Sequence, residues 1–114
     1  MSVAVTTRRI GDVSVLDVSG RITLGEGSSI LRESLRDCAA VKQPKVLLNL
    51  EEVNYIDSSG IGELVSGFTN IQDAGGQLKL LNLTKRVKDL LQITKLYTVF
   101  EVFADEATAI RSFG

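Results

Sequence analysis

Asn54-Tyr55-Ile56-Asp57-Ser58-Ser59-Gly60-Ile61-Gly62-Glu63 lies where an apolar, strand-like run gives way to a helical repeat, and its reading decides the fold. A chain that turns from strand into helix leaves the first N–H groups of the helix without partners, and Asp57, Ser58 and Ser59 are side chains of the kind that satisfy them. The helix start also carries partial positive charge, so a phosphate on one of these serines can sit there without unfolding the helix. The acceptor hydroxyl is expected at the surface. Gly60 and Gly62 are expected to leave the backbone bare beside it, open to close approach by another protein.

Upstream of this stretch, Pro44 precedes Lys45-Val46-Leu47-Leu48-Asn49-Leu50, a short apolar run that suits a strand covered on both faces and placed centrally in a sheet. Downstream, Ile61, Leu64, Val65, Phe68 and Ile71 recur at three- and four-residue steps until Gly75-Gly76 stops the helix. Residues 3–9 and 13–18 read as a hairpin around Ile10-Gly11-Asp12. Gly20 then ends the second strand, and residues 21–27 form a loop. Leu31, Leu35 and Cys38 share one face of an amphipathic helix over 28–41, with Ser28 or Ser29 as its cap. Beyond the central helix the pattern predicts a strand over 77–83 and a helix over 84–94 with Val87, Leu90 and Leu91 inward. A strand over 98–103 and a closing helix over 104–112 follow.

Two strands followed by alternating helices and strands specify an α/β fold within a single domain, residues 1–114. Crossover connections make the sheet mixed and mostly parallel, about five strands with about four helices, its N-terminal strand antiparallel at an edge. With the helices on one face, Asn49, Lys79 and Asn82 are expected to solvate the other.

Composition narrows the function. Hydrophobic residues make up 44% and charged residues 24% of the chain, an ordinary soluble balance without a disorder signature. Thirteen Lys and Arg against fourteen Asp and Glu leave a net charge of -1, too little to draw the chain to nucleic acid or an anionic membrane. No apolar run approaches the roughly 20 residues that span a bilayer, and no leader pattern opens the chain, which points to the cytoplasm without membrane insertion. One Cys and no His argue against a zinc site and remove imidazole bases and Ser-His-Asp catalysis. Cys38 reads as a small buried apolar side chain.

Other chemistries at the junction fail on residue type. A hydrolase elbow needs Gly-x-Ser-x-Gly, but Ile56 and Asp57 precede Ser58. A phosphate-cradling loop needs a lysine that Gly60-Ile61-Gly62-Glu63 lacks. Glu51, Glu52, Asp57 and Glu63 show no metal-ligand spacing. No cofactor is expected. On local grounds alone, Asp57, Ser58 and Ser59 are helix caps, Arg21 is an exposed loop charge, and Lys85, Arg86 and Lys88 form a solvated basic group.

The whole pattern resembles the small STAS-domain proteins that act as anti-sigma factor antagonists. The resemblance is carried by Val46-Leu47-Leu48-Asn49-Leu50-Glu51-Glu52-Val53-Asn54-Tyr55-Ile56-Asp57-Ser58-Ser59-Gly60-Ile61-Gly62, with Gly20-Arg21-Ile22 and Gly76-Gln77-Leu78-Lys79-Leu80 in support. Asn49 departs from it, since the family commonly has Asp at that strand end. The resemblance implies a STAS fold and a non-enzymatic regulator that binds an anti-sigma factor with serine kinase activity and so frees a sigma factor. It also implies that the kinase phosphorylates Ser58, that a PP2C-like phosphatase restores it, and that Ser59 is a lesser acceptor. A phosphate adds about -1.5 to -2 charges beside Asp57 and Glu63, repelling an acidic partner surface. The docking surface expected on this basis joins the Ser58 side, the loop over 21–27 and the exposed start of the Ile61 helix, and comprises Arg21, Thr23, Asn54, Asp57, Ser58, Ser59, Gly60, Ile61 and Gly62, on a monomer or weak dimer. The rival roles are a scaffold subunit of a stress-signalling complex, a STAS subunit of a membrane transport system, and a nucleotide hydrolase.

Overall fold

The computed structural model describes residues 3–114. Strands β1 (Val3–Ile10) and β2 (Val13–Ile22) form an antiparallel hairpin turned at Gly11-Asp12, and helix α1 (Glu26–Cys38) leads into β3 (Lys45–Ile56). Helix α2 (Ser58–Asp73), strand β4 (Gln77–Leu81), helix α3 (Lys85–Ile93), strand β5 (Val102–Phe103) and helix α4 (Glu106–Ser112) complete the chain. The sheet runs β1-β2-β3-β4-β5, antiparallel only at its first pair, with β3 at the centre. This is the mixed, mostly parallel architecture that the strand and helix order specifies.

Alternation along β3 sorts its side chains between two apolar layers. Val46, Leu48 and Leu50 face a main core closed by Leu31 and Leu35 of α1, Leu64 and Ile71 of α2, and Val87 and Leu91 of α3. Leu47 points the other way, into a smaller cluster with Val13, Val15, Leu81, Ala109 and Phe113. Cys38 is half-buried against the main core, and that burial pushes its thiol pKa up.

Several elements differ from the sequence reading, each for a physical reason. Strand β2 continues two residues past Gly20, because Ile22 needs burial and finds it beside Ile56, its ladder partner on β3. Helix α1 starts at Glu26 with Gly25 as its N-cap at φ 102°, and no side chain caps it. Neither Ser28 nor Ser29 is the cap: Ser28 is buried, its N–H donates to the Thr23 carbonyl at 2.9 Å and its hydroxyl to the Gly25 carbonyl. The expected last strand contributes only Val102 and Phe103 to the ladder, since residues 97–99 form a turn that brings Phe100 edge-on to Phe68, ring centres 5.2 Å apart.

The second face of the sheet is not left to solvent. Helix α4 covers it, and Lys79, expected to solvate that face, is only 4% exposed. Its ammonium donates to the Ser112 carbonyl at 3.0 Å and the Ser112 hydroxyl at 2.9 Å, at the negative end of α4, and lies 4.7 Å from the Phe113 ring centre. The other end of α4 is held by Arg8, which bridges Asp17 and Glu106 through four contacts of 2.6 to 3.0 Å. Those bonds raise the Arg8 pKa and hold both carboxyls below their usual values. Asn49 is half-buried and donates to Asp17 at 2.8 Å, so it too belongs to this network. No helix among the described residues is long and apolar enough to cross a membrane.

Candidate functional site at the β3–α2 junction

Strand β3 extends six residues beyond the apolar run that marks it in the sequence. Its partner β4 ends opposite Asn49, so residues 50–56 have only β2 as a neighbour. Together these segments form a two-stranded arm that carries the start of α2 past the end of β4. Register shifts between Asp17 and Ser19 and again between Gly20 and Arg21 insert extra β3 residues, bend the arm, and set Arg21 directly opposite Tyr55. Glu51 and Glu52, together with these irregularities, disguise a strand whose Val53 and Ile56 are nevertheless fully committed to the core.

At the end of the arm, Asp57 is extended (φ -110°) and serves as the N-cap of α2. One carboxylate oxygen accepts from the Ser59 and Gly60 N–H groups at 3.0 and 3.1 Å and from the Ser59 hydroxyl at 2.6 Å. The other accepts from the Leu24 N–H at 3.1 Å, tying residues 23–25 to the helix start. The Ser59 hydroxyl, opposed by partial burial and supported by the three N–H donors, holds the Asp57 carboxyl below its usual pKa.

This division of labour separates the serines. Ser59 is half-buried and spends its hydroxyl on Asp57. Ser58, the first residue of α2, is exposed, and its hydroxyl has no hydrogen-bond partner among the described residues.

The expected docking residues fall into two groups. Arg21, Asn54, Ser58 and Gly62 are exposed and Thr23, Asp57 and Ser59 half-buried, while Gly60 and Ile61 are buried. The reading of Gly60 as bare backbone open to a partner is therefore corrected. A Cβ at Gly60 would lie 2.7 Å from Ile22 Cγ2 and Ile56 Cγ1 and 2.8 Å from the Ile22 carbonyl oxygen, so the glycine lets α2 seat on its own sheet. Nothing lies within 4 Å of a Cβ at Gly62, which remains the open glycine. Glu63 is paired with Arg32 of α1 at 3.2 Å.

Three residues outside the expected set, Tyr55, Arg86 and Ile93, complete the surface together with Leu24 of the expected 21–27 loop. Tyr55 carries two guanidinium groups, Arg21 at 4.4 Å and Arg86 at 4.3 Å from its ring centre. Neither arginine has an ion-pair partner among the described residues. A groove of about 400 Å³ runs beside Ser58, lined by Tyr55, Asp57, Arg86, Asp89, Leu90 and Ile93. Leu24 is 82% and Ile93 76% exposed, large apolar side chains that solvent alone does not favour. Arg86 stood in the sequence as one of three neighbouring basic residues, but its stacking on a residue 31 positions away leaves no local signature.

The STAS domain family profile matches residues 4–109. The chain belongs to the STAS domain family. It is 33% identical over 93 residues, 82% of this chain and 83% of the relative, to the anti-sigma-B factor antagonist of Bacillus subtilis (strain 168). The fold is shared with an anti-sigma factor antagonist from Mycobacterium paratuberculosis, with a TM-score of 0.85 at 18% identity over 97% of this chain and 93% of that one. It is also shared with the anti-sigma factor antagonist SpoIIAA in its unphosphorylated form, with a TM-score of 0.78 at 21% identity over 96% and 95%.

Proposed function

We propose that this protein is a cytoplasmic anti-sigma factor antagonist that binds an anti-sigma factor with serine kinase activity, frees a sigma factor, and is switched off by phosphorylation of Ser58. The observation that carries this reading is the spare hydroxyl of Ser58. Because Asp57 performs the capping, Ser58 can be modified without unmaking the helix start.

The kinase transfers the γ-phosphoryl group of ATP to Ser58 Oγ, the hydroxyl proton is lost, and ADP leaves. A PP2C-like phosphatase hydrolyses the ester to serine and inorganic phosphate. The protein contributes a binding surface, not a reaction. Leu24 and Ile93 supply apolar contact at either side of the junction, and Arg21 and Arg86 supply positive charge for an acidic partner. A phosphate of about -2 at Ser58 reverses the charge of that face and adds bulk to it, so the complex loses affinity without a rearrangement of the fold.

The test is incubation with the cognate anti-sigma factor and ATP, followed by intact mass and fragment sequencing. One added phosphate on Ser58, absent from a Ser58→Ala variant, supports the reading. Modification elsewhere, or none while the complex forms normally, overturns it.

A further inference from the structure

We infer that a phosphate on Ser58 is held in cis by the Arg86 guanidinium in the groove between the α2 start and α3, so that modification also removes from the docking face the positive charge that recruits the partner. The inference rests on the proposed switching at Ser58 and concerns what the phosphate binds once it is there.

The groove brings the required groups together. Ser58 and Arg86 both line it, with Tyr55 as its floor of aromatic surface. Its two carboxylates are already engaged: Asp57 accepts three N–H groups and one hydroxyl, and Asp89 accepts from Lys85 at 2.7 Å, four residues earlier on α3. Arg86 faces the groove uncommitted, since stacking on Tyr55 leaves its N–H donors free of any carboxylate. Arg21, on the β2 side of Tyr55, is the only other cation stacked on that ring among the described residues.

Guanidinium and a phosphate dianion form paired, charge-assisted hydrogen bonds, a stronger interaction than the stacking it replaces at an exposed ring. Capture therefore draws Arg86 from Tyr55 toward Ser58. A partner surface complementary to Arg21 and Arg86 then meets one cation fewer and one dianion more.

The inference is tested on full-length chain carrying phosphoserine installed at position 58 by genetic encoding, which needs no kinase. Phosphorus NMR titration follows the second ionisation of the phosphate. Capture favours the dianion and lowers that pKa by about half a unit relative to the Arg86→Gln variant, with Arg86→Lys intermediate. Lys88→Gln removes a cation from the same helix outside this groove and is expected to leave the titration unchanged. Arg86 is exposed, so its variants retain the fold. An Arg86→Gln curve that overlays the parent's, or a Lys88→Gln shift of the same size, overturns the inference. Binding of the phosphorylated chain to the anti-sigma factor is measured in parallel. Loss of binding with overlaid titrations defeats cis capture and leaves the Ser58 switch standing, whereas undiminished binding with the Arg86-dependent shift defeats the switch and leaves the capture.

Discussion

Replacing Asp57 by Ala removes the acceptor that organises the α2 start, and the structure sets the size of the effect. The carboxylate takes the Ser59 and Gly60 N–H groups, the Ser59 hydroxyl and the Leu24 N–H. Loss of an N-cap costs about 1 kcal/mol. The Leu24 contact is exposed and water replaces it, adding about 0.5 kcal/mol. A loss of about 1.5 kcal/mol corresponds to a fall in Tm of roughly 6 °C for a domain of this size. Asp57→Asn, which keeps an oxygen for the cap, is expected to lose less than half of that. The pH dependence follows from the direction of the shift. Because the folded pKa lies below the ordinary 3.8, the stabilisation is complete above the unfolded value and disappears as pH falls through the folded one. The gap between parent and Asp57→Ala is therefore expected to be constant from pH 7 to about 5 and to close below about 4. Thermal unfolding followed by circular dichroism across that range is the assay. A Tm for Asp57→Ala within 1 °C of the parent at pH 7 would refute the assignment of Asp57 as the organising cap.

Three further outcomes follow, two from packing and one from backbone conformation. Gly60→Ala forces a methyl against Ile22 and Ile56 and is expected to cost about 2 kcal/mol in denaturant unfolding, whereas Gly62→Ala, with open space at its Cβ, is expected to be neutral or to stabilise by up to about 1 kcal/mol. Lys79→Met keeps the aliphatic stem but leaves the Ser112 carbonyl without its donor, so a loss of about 2 kcal/mol is expected, with faster hydrogen exchange throughout α4. Unchanged exchange in α4 would show that Lys79 does not anchor it. Lys95 follows α3 with φ 62°, where glycine is unstrained, and Lys95→Gly is expected to raise stability by about 0.5 to 1 kcal/mol in the same unfolding assay.

The sheet and its four helices were legible because their signals are local. Leu64, Val65, Phe68 and Ile71 repeat with the period of a helix, and Val46 to Leu50 fill a central strand whatever surrounds them. The second half of β3 was not legible, because Glu51, Glu52 and two register shifts break its alternation, and only pairing with β2 makes residues 50–56 a strand. Lys79 misled for a similar reason. A lysine in a strand reads as solvent-facing, and nothing near it in sequence tells that Ser112 and Phe113 arrive to cover it.

At the site, the Asp57-Ser58-Ser59 tripeptide identified the helix start, but which residue caps and which is free depends on backbone geometry that three adjacent capping residues do not determine. Gly60 shows the limit from the other side: a glycine that serves close packing and a glycine that exposes backbone look alike until the neighbouring strand is in place. Tyr55, Arg21 and Arg86 come from three elements, and their meeting is a property of the tertiary fold alone.

The central claim is that a charge placed on Ser58 is felt by the partner without disturbing the fold. Its most direct test is titration calorimetry of the cognate anti-sigma factor with unmodified and Ser58-phosphorylated chain under identical salt conditions, with Tm measured for both. The account predicts a loss of affinity of several hundred-fold, about 3 to 4 kcal/mol, with Tm essentially unchanged. Equal affinities would contradict it, as would a loss of affinity that arises only because the phosphorylated chain unfolds.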